Sequence, residues 1–211
     1  MNFRYPVFLD VSGKRCLVTG EGLEIPGKVV TLVERSAIVT YVNPTADDSI
    51  ARLASEQRLT WHARKFESSD LDGCFLMISD QEDNSEIFQL AEARGVLCNA
   101  VDDPEHCRFS FGSVISRGDL TVAISTNGIA PALAVRLRQK LEEELGREYE
   151  SFLHLLEELR GEITDSIAGF DARRALWYRL IDSEAFSLLR RGEADEARHL
   201  LRKLVDEARG C

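Results

Sequence analysis

The chain has 211 residues, 44% of them hydrophobic, which is enough for one sizeable core or for a core with a smaller appendage. Its net charge of −10 and isoelectric point of about 5.0 argue against a nucleic-acid-binding protein, because such proteins present a basic face. No apolar run approaches the roughly 20 residues that span a bilayer, and the first residues do not form a signal peptide. We therefore expect a cytoplasmic protein that binds neither nucleic acid nor membrane.

In the first half of the chain, short apolar runs alternate with helical patterns. We predict strands near residues 15–18, 37–42, 59–63, 75–78 and 96–101, and helices near 26–34, 50–57 and 85–94. This alternation predicts a doubly wound parallel sheet with helices on both faces. Ligands of such sheets bind at the carboxyl ends of the strands. The residues expected there are Gly20, Glu21, Gly22, Asn43, Ser79, Asp80, Asp102 and Asp103.

The pattern changes after Phe109. Two apolar strands, 111–116 and 120–125, predict a hairpin, and a helix with leucines spaced by four is expected at 131–145. Further apolar stripes predict a small helical bundle in the rest of the chain. The predicted fold class is α/β, in which a Rossmann-like sheet (1–112) precedes a small α+β region (113–146) and a C-terminal helical domain (147–211).

The five cysteines are scattered and contain no C-x-x-C motif, which is typical of neither a disulfide framework nor a zinc knuckle. Cys16, Cys74 and Cys98 lie in or beside apolar runs and are interpreted as small core residues. His106 and Cys107 are adjacent, but no second pair of ligands accompanies them. The sequence therefore predicts no resident metal site.

The first motif with chemical potential is the sequence Gly20-Glu21-Gly22, between a strand and a helix. In a dinucleotide fold, such glycines permit a tight turn and let the backbone approach a pyrophosphate at the helix N-terminus. The third small position of that pattern is occupied here by Ile25. A plain strand-to-helix turn remains the alternative.

Two further motifs follow predicted strands. Asp102 and Asp103 precede a proline, and one of them could act as a general base; an ordinary Asp-Pro turn is the alternative. Ser125, Thr126 and Gly128 lie in a turn before a helix, where exposed N–H groups could hold a carboxylate. Ordinary helix capping explains that turn equally well.

Taken together, these segments resemble one family. Residues 5–14 read Tyr-Pro-Val-Phe-Leu-Asp-Val-Ser-Gly-Lys and are similar to its opening Tyr-Pro-x-Phe-Leu-Asp-x-x-Gly-Arg/Lys. The segments 66–73, 99–104, 116–126 and 130–140 resemble later motifs in the same order. By this resemblance, which covers nearly the whole chain, the protein is identified as a member of the precorrin-2 dehydrogenase / sirohydrochlorin ferrochelatase family.

The resemblance implies a homodimer that contains an NAD-binding Rossmann domain, a dimerisation region and a C-terminal helical domain. It also implies that NAD⁺ takes a hydride from precorrin-2 to give sirohydrochlorin, into which some members insert Fe²⁺ as a substrate metal. Larger relatives carry a fused methyltransferase, for which we expect no room in 211 residues.

The resemblance assigns the catalytic role to Asp102. The predicted cofactor contacts are Gly20, Glu21, Gly22, Leu23, Asn43, Ser79 and Asp80. The predicted substrate contacts are Ser125, Thr126, Gly128, Arg108 and Arg117, the arginines because a guanidinium binds carboxylates in a bidentate manner.

Three departures from the family pattern are visible. The glycine turn reads Gly-Glu-Gly instead of Gly-Gly-Gly, the loop after Ser79 is a few residues shorter, and Gly112 and Asn127 replace a proline and a glycine. These differences keep two alternatives open. One is a chelatase-only member that has lost NAD, and the other is a non-enzymatic tetrapyrrole-binding protein on the same fold.

Overall fold

A computed structural model describes residues 5–209 of the chain. Residues 1–4, which carry part of the signal-peptide prediction, and residues 210–211 lie outside the described part. The chain forms two compact units, the first ending at Ser110 and the second beginning at Phe111. In the described part, no helix combines the length and the apolar character that crossing a membrane requires.

The first unit is built on a five-stranded, fully parallel sheet. Its strands are β1 (Arg15–Gly20), β2 (Ile38–Val42), β3 (Thr60–His62), β4 (Leu76–Asp80) and β5 (Leu97–Ala100), in the spatial order β3-β2-β1-β4-β5. The helices between them are α1 (Ile25–Glu34), α2 (Asp48–Ser55) and α3 (Ser85–Ala93). The predicted doubly wound α/β fold is thereby confirmed.

Alternate residues of the central strands pack on opposite faces of this sheet, as the two-residue repeat of a strand requires. Val18 of β1 belongs to a core that also contains Val29 of α1 and Ile50 of α2. Leu17, its neighbour in β1, belongs to a second core that contains Ile87 of α3. The near-continuous apolar runs seen in the sequence are therefore strands that are buried on both sides.

The second unit begins with an antiparallel hairpin and continues as helices. The hairpin strands are β6 (Ser113–Arg117) and β7 (Leu120–Ile124), which confirms the predicted pair. The helices are α4 (Pro131–Glu144), α5 (Glu148–Ser166), α6 (Phe170–Ile181), α7 (Ala185–Arg190) and α8 (Ala194–Arg209). Buried side chains of α5, α6, α7 and α8 form one core, so the predicted helical bundle is present.

The predicted division of the chain at residues 112 and 146 stays a prediction.

Candidate active site

A cleft of about 720 Å³ opens in the first unit beside the carboxyl ends of β1, β2 and β4. Its walls include Thr19 from β1, Asn43 and Thr45 after β2, Lys65 after β3, and Gln81 after β4. The strand order reverses between β1 and β4, and this is the position at which doubly wound sheets bind ligands. The volume lies within the range of roughly 300–1,000 Å³ that is usual for small-molecule sites.

In the turn after β1, the two glycine positions have no free space for a side chain. Gly20 has a φ of +109°, and a Cβ atom there would overlap the backbone of Asp80. A Cβ atom on Gly22 would instead overlap the carboxylate of Asp80. Gly20 is therefore required by the close approach of the Asp80 backbone, whereas at Gly22 the side chain of Asp80 would have to move.

Tyr41 of β2 fixes the carbonyl end of this turn. Its hydroxyl donates a hydrogen bond of 2.7 Å to the carbonyl oxygen of Gly20. Burial, with smaller contributions from the nearby carboxylates of Glu21 and Asp47, raises the pKa of Tyr41 to about 12. The tyrosine thus stays neutral at physiological pH and keeps its proton for Gly20.

The N-terminus of α1 is suited to an anion. Glu24, the residue before the helix, does not cap it with its side chain but pairs with Lys28 at 2.8 Å. The first turn of α1 carries no acidic residue, and the Asp80 carboxylate lies against Gly22 before the helix begins. Ile25 is fully buried in the core beneath, so its size is accommodated at the position where the family pattern has a small residue. These features fit the pyrophosphate of a dinucleotide.

The carboxylate of Glu21 turns toward the end of β2. It accepts a hydrogen bond of 2.7 Å from the Thr45 hydroxyl. The Asn43 side-chain amide donates to the carbonyl oxygen of Thr45 at 3.0 Å, and the Trp61 indole donates to the carbonyl oxygen of Asn43 at 3.0 Å. The predicted cofactor contacts Glu21 and Asn43 therefore lie together on one wall of the cleft.

A polar chain fixes the loop after β4. Ser79 is fully buried, and its hydroxyl donates to the Asn84 side-chain oxygen at 2.6 Å. Asn84 donates in turn to the Gln81 carbonyl at 3.0 Å, and the Gln81 amide donates to the Thr19 hydroxyl at 3.2 Å. Ser79 thus holds the loop in place without lining the cleft, whereas Gln81 lines it. Leu23, another predicted cofactor contact, is fully exposed after the glycine turn.

Asp102 lies just beyond β5, at the same edge of the sheet as the glycine turn. Its φ of +56° is a left-handed conformation that is costly for a residue other than glycine and that is frequent at functional sites. The carboxylate of Asp103 contacts Nδ1 of His106 at 2.6 Å. Asp102, by contrast, is exposed and has no hydrogen-bond or ion-pair partner within residues 5–209. Of the two acids, Asp102 is the one whose carboxylate is available to a ligand.

The two predicted carboxylate-binding arginines are engaged within the chain. Arg108 forms an ion pair with Glu92, which raises the pKa of the guanidinium, and lies 5.0 Å from the ring centre of Phe88. Arg117 donates to the carbonyl oxygen of Leu145 at 2.8 Å and so ties the hairpin to the end of α4. Their role as substrate contacts stays a prediction.

The turn before α4 belongs to the second unit. The hydroxyl of Ser125 accepts from the N–H of Asn127 at 3.1 Å, and that of Thr126 accepts from the N–H of Ala130 at 3.3 Å. Asn127 and Gly128 have left-handed backbones, with φ of +51° and +79°. Both hydroxyls therefore order the turn itself, and substrate binding by Ser125, Thr126 and Gly128 stays a prediction.

Several cleft residues were not expected from the sequence. These are Thr45, Lys65, Phe66, Ser68, Asp83 and Glu86. All of them follow β2, β3 or β4 by six residues or fewer, so a wider search after each strand end would have found them. Within the described residues 5–209 the cleft is strongly acidic, because Glu21, Glu82, Asp83 and Glu86 line it together with one cation, Lys65.

The fold and this cleft define a Rossmann-type protein, and comparison with known proteins narrows the class. A family model described as "Putative NAD(P)-binding" matches residues 7–113. Models described as "Sirohaem biosynthesis protein central" and "Sirohaem synthase dimerisation region" match residues 117–144 and 148–205. The chain belongs to the precorrin-2 dehydrogenase / sirohydrochlorin ferrochelatase family of sirohaem biosynthesis.

Curated relatives agree with this assignment. The chain is 32% identical over 200 residues to the siroheme synthase of Pseudoalteromonas atlantica, a match that covers 93% of this chain and 43% of the relative. It is 35% identical over 209 residues to siroheme synthase 1 of Klebsiella pneumoniae, with coverage of 96% and 44%. The chain thus spans less than half the length of these relatives.

A solved structure shares the fold. The precorrin-2 dehydrogenase SirC superimposes with a TM-score of 0.75 at 23% identity, over 94% of this chain and 99% of SirC. At this identity the match shows that the two chains share a fold.

Proposed function

We propose that this chain oxidises precorrin-2 to sirohydrochlorin and uses NAD⁺ as the hydride acceptor. The observation that carries the proposal is the placement of a constrained glycine turn and of the strained, unpartnered Asp102 at one carboxyl edge of the Rossmann sheet. Family membership, and a solved relative that is named a precorrin-2 dehydrogenase, support the same reaction. We further propose a cytoplasmic location.

The roles of the residues follow from their positions. The Gly20–Gly22 turn and the N-terminus of α1 would hold the pyrophosphate, and Gln81 and Asn43 would border the nucleotide. When bound, NAD⁺ supplies the acceptor for a hydride from the substrate. Asp102 accepts the proton that the macrocycle loses in the same oxidation, which leaves sirohydrochlorin, NADH and a protonated carboxyl.

Within the NAD(P) class, the cleft favours NAD⁺. The extra phosphate of NADP⁺ would enter a cleft to which the described part of the chain contributes four carboxylates and one lysine. Like charges at short range in a partly buried site disfavour that binding. We therefore propose NAD⁺ as the cofactor.

The same acidity supports a second candidate function. A member that has lost NAD and acts only as a chelatase would need no pyrophosphate site, and an available Asp102 could accept pyrrole N–H protons while Fe²⁺ enters sirohydrochlorin. We propose Fe²⁺ as a substrate metal in either case. Within residues 5–209 no three His, Cys, Asp or Glu side chains are grouped so as to hold a metal ion.

The Asp102→Asn variant tests the catalytic assignment. We expect it to lower NAD⁺-dependent turnover of precorrin-2 by about 100-fold or more, because the proton acceptor is lost. Glu105→Gln is the matched control, since Glu105 is exposed in the same segment and loses the same charge. Turnover would be followed anaerobically by NADH absorbance, with thermal melting as the test of folding. An Asp102→Asn enzyme that is folded and fully active would overturn the role of Asp102, and a similar loss in Glu105→Gln would make it a general charge effect.

A further inference from the structure

The end of β2 lacks the acidic residue that dinucleotide folds usually place there. In the common arrangement, a carboxylate after the second strand accepts hydrogen bonds from the adenosine ribose hydroxyls. Here β2 is followed by Asn43, Pro44 and Thr45. The next acid, Asp47, caps α2 by accepting from the N–H of Ser49 at 2.8 Å. It does not line the cleft.

A carboxylate from the turn after β1 nevertheless lies at the end of β2. Glu21, in the glycine turn after β1, accepts the 2.7 Å hydrogen bond from the Thr45 hydroxyl across 24 positions of sequence. The Asn43 amide donates to the same hydroxyl at 3.2 Å, so the threonine is oriented to donate to Glu21. Glu21 lines the cleft together with both of these residues. Its carboxylate is thereby held beside the glycine turn at the end of β2.

We propose that Glu21 is the specificity-determining residue of the nucleotide site: it binds the adenosine ribose diol and excludes a 2′-phosphate. The inference rests on the proposed NAD⁺-dependent function and names the residue that sets its cofactor preference. An ionised carboxylate with one lone pair engaged by Thr45 retains acceptor sites for two ribose hydroxyls. The same carboxylate repels a phosphate dianion at that position.

The surroundings strengthen this discrimination. Among residues 5–209, the other charged residues on the cleft wall are Lys65 and the acids Glu82, Asp83 and Glu86, and no arginine lines the cleft to receive a 2′-phosphate. The bond to Thr45 also draws the Glu21 carboxylate toward β2. A glutamate in the glycine turn is therefore compatible with a pyrophosphate at the N-terminus of α1.

Titration calorimetry of the full chain with NAD⁺ and with NADP⁺ tests the proposal without requiring turnover. We expect the wild-type protein to bind NAD⁺ at least about 30-fold more tightly than NADP⁺. Glu21→Gln keeps the shape and the Thr45 contact but removes the charge, and we expect it to reduce that preference about tenfold or more. Glu21→Gly, which removes the side chain altogether, should reduce it at least as far.

The matched control is Glu34→Gln, which removes an equal charge from an exposed side chain at the C-terminal end of α1. It should leave the ratio of the NAD⁺ and NADP⁺ affinities within about twofold of the wild type, since its carboxylate is outside the cleft.

Equal wild-type affinity for both nucleotides, or an unchanged affinity ratio in Glu21→Gln, would overturn the role of Glu21 alone. Wild-type protein that binds neither nucleotide would overturn both this inference and the NAD⁺-dependent function. Binding of NAD⁺ that appears only in Glu21→Gly would show instead that Glu21 blocks the site.

Discussion

At the scale of single residues, the glycine turn depends on one neighbour in two different ways. At Gly20 an added Cβ atom would meet the backbone of Asp80, and the φ of +109° is itself unfavourable for other residues. At Gly22 the obstacle is the Asp80 carboxylate, which belongs to a side chain that can move or be removed. The two glycines should therefore respond differently to substitution.

We predict that Gly20→Ala lowers the free energy of unfolding by about 2 kcal/mol or more, because it combines backbone strain with a clash that cannot relax. Gly22→Ala should cost about 1 kcal/mol, since one side chain must shift. In an Asp80→Ala background the cost of Gly22→Ala should largely disappear while that of Gly20→Ala persists. Urea unfolding of the single and double variants measures these differences. Equal losses at the two glycines in both backgrounds would contradict the packing described.

Other residue contacts in the site could not be read from the sequence. The hydrogen bond from Thr45 to Glu21 and the ion pair of Arg108 with Glu92 join positions that only the folded sheet brings together. Asp102 could be selected from its position after a strand, but its left-handed φ and its lack of a partner required the structure. Local sequence thus predicted which residues to examine, and tertiary packing determined what each side chain contacts.

At the scale of elements, the sequence was most informative where apolar periodicity was strong. Residues 96–101 were expected to form a strand, and β5 occupies Leu97–Ala100 within them. The helix expected at 131–145 begins at Pro131, because proline is well tolerated in a first turn, and ends at Glu144. Element ends shifted by one or two residues because hydrogen bonding and capping, which periodicity does not report, set them.

Helix α4 shows what apolar periodicity does not decide. Its leucines are spaced by four, yet Leu133 is 52% exposed and Leu137 is 41% exposed, and Ala134 is the one residue of α4 that is buried. An apolar stripe that its own chain leaves exposed is typical of an interface between subunits. Residues 148–205 match a model described as a dimerisation region, and the family resemblance implies a homodimer. We propose that in this homodimer a second copy covers α4.

We predict that Leu137→Asp raises the dissociation constant of the dimer about 30-fold or more, because a charge is placed in an apolar contact. Gln139→Asp is the control, since it puts the same charge on another exposed position of the same helix. Light scattering across a range of protein concentrations gives the mass of each variant. A monomeric wild-type protein, or a Leu137→Asp variant that dimerises as tightly as the control, would contradict the proposed interface.

At the scale of the whole molecule, composition and motif order were sufficient for the fold class and the family, because both depend on features spread over the whole chain. The role that we propose for Glu21 could not be obtained in that way. In the sequence, Gly20-Glu21-Gly22 differs from the family's glycine turn. In the structure, the Glu21 carboxylate accepts a hydrogen bond from Thr45, which follows β2, and both glycines keep their close approach to Asp80. The altered glycine turn is therefore compatible with the proposed NAD⁺-dependent function.

The most direct test of the central claim is the anaerobic absorbance spectrum of precorrin-2 incubated with this protein, with and without NAD⁺, before any iron is added. We predict that sirohydrochlorin forms only when NAD⁺ is present, with one NADH produced for each molecule oxidised. No oxidation in the presence of NAD⁺, combined with metal insertion when ready-made sirohydrochlorin and Fe²⁺ are supplied, would contradict the account and identify a chelatase without dehydrogenase activity.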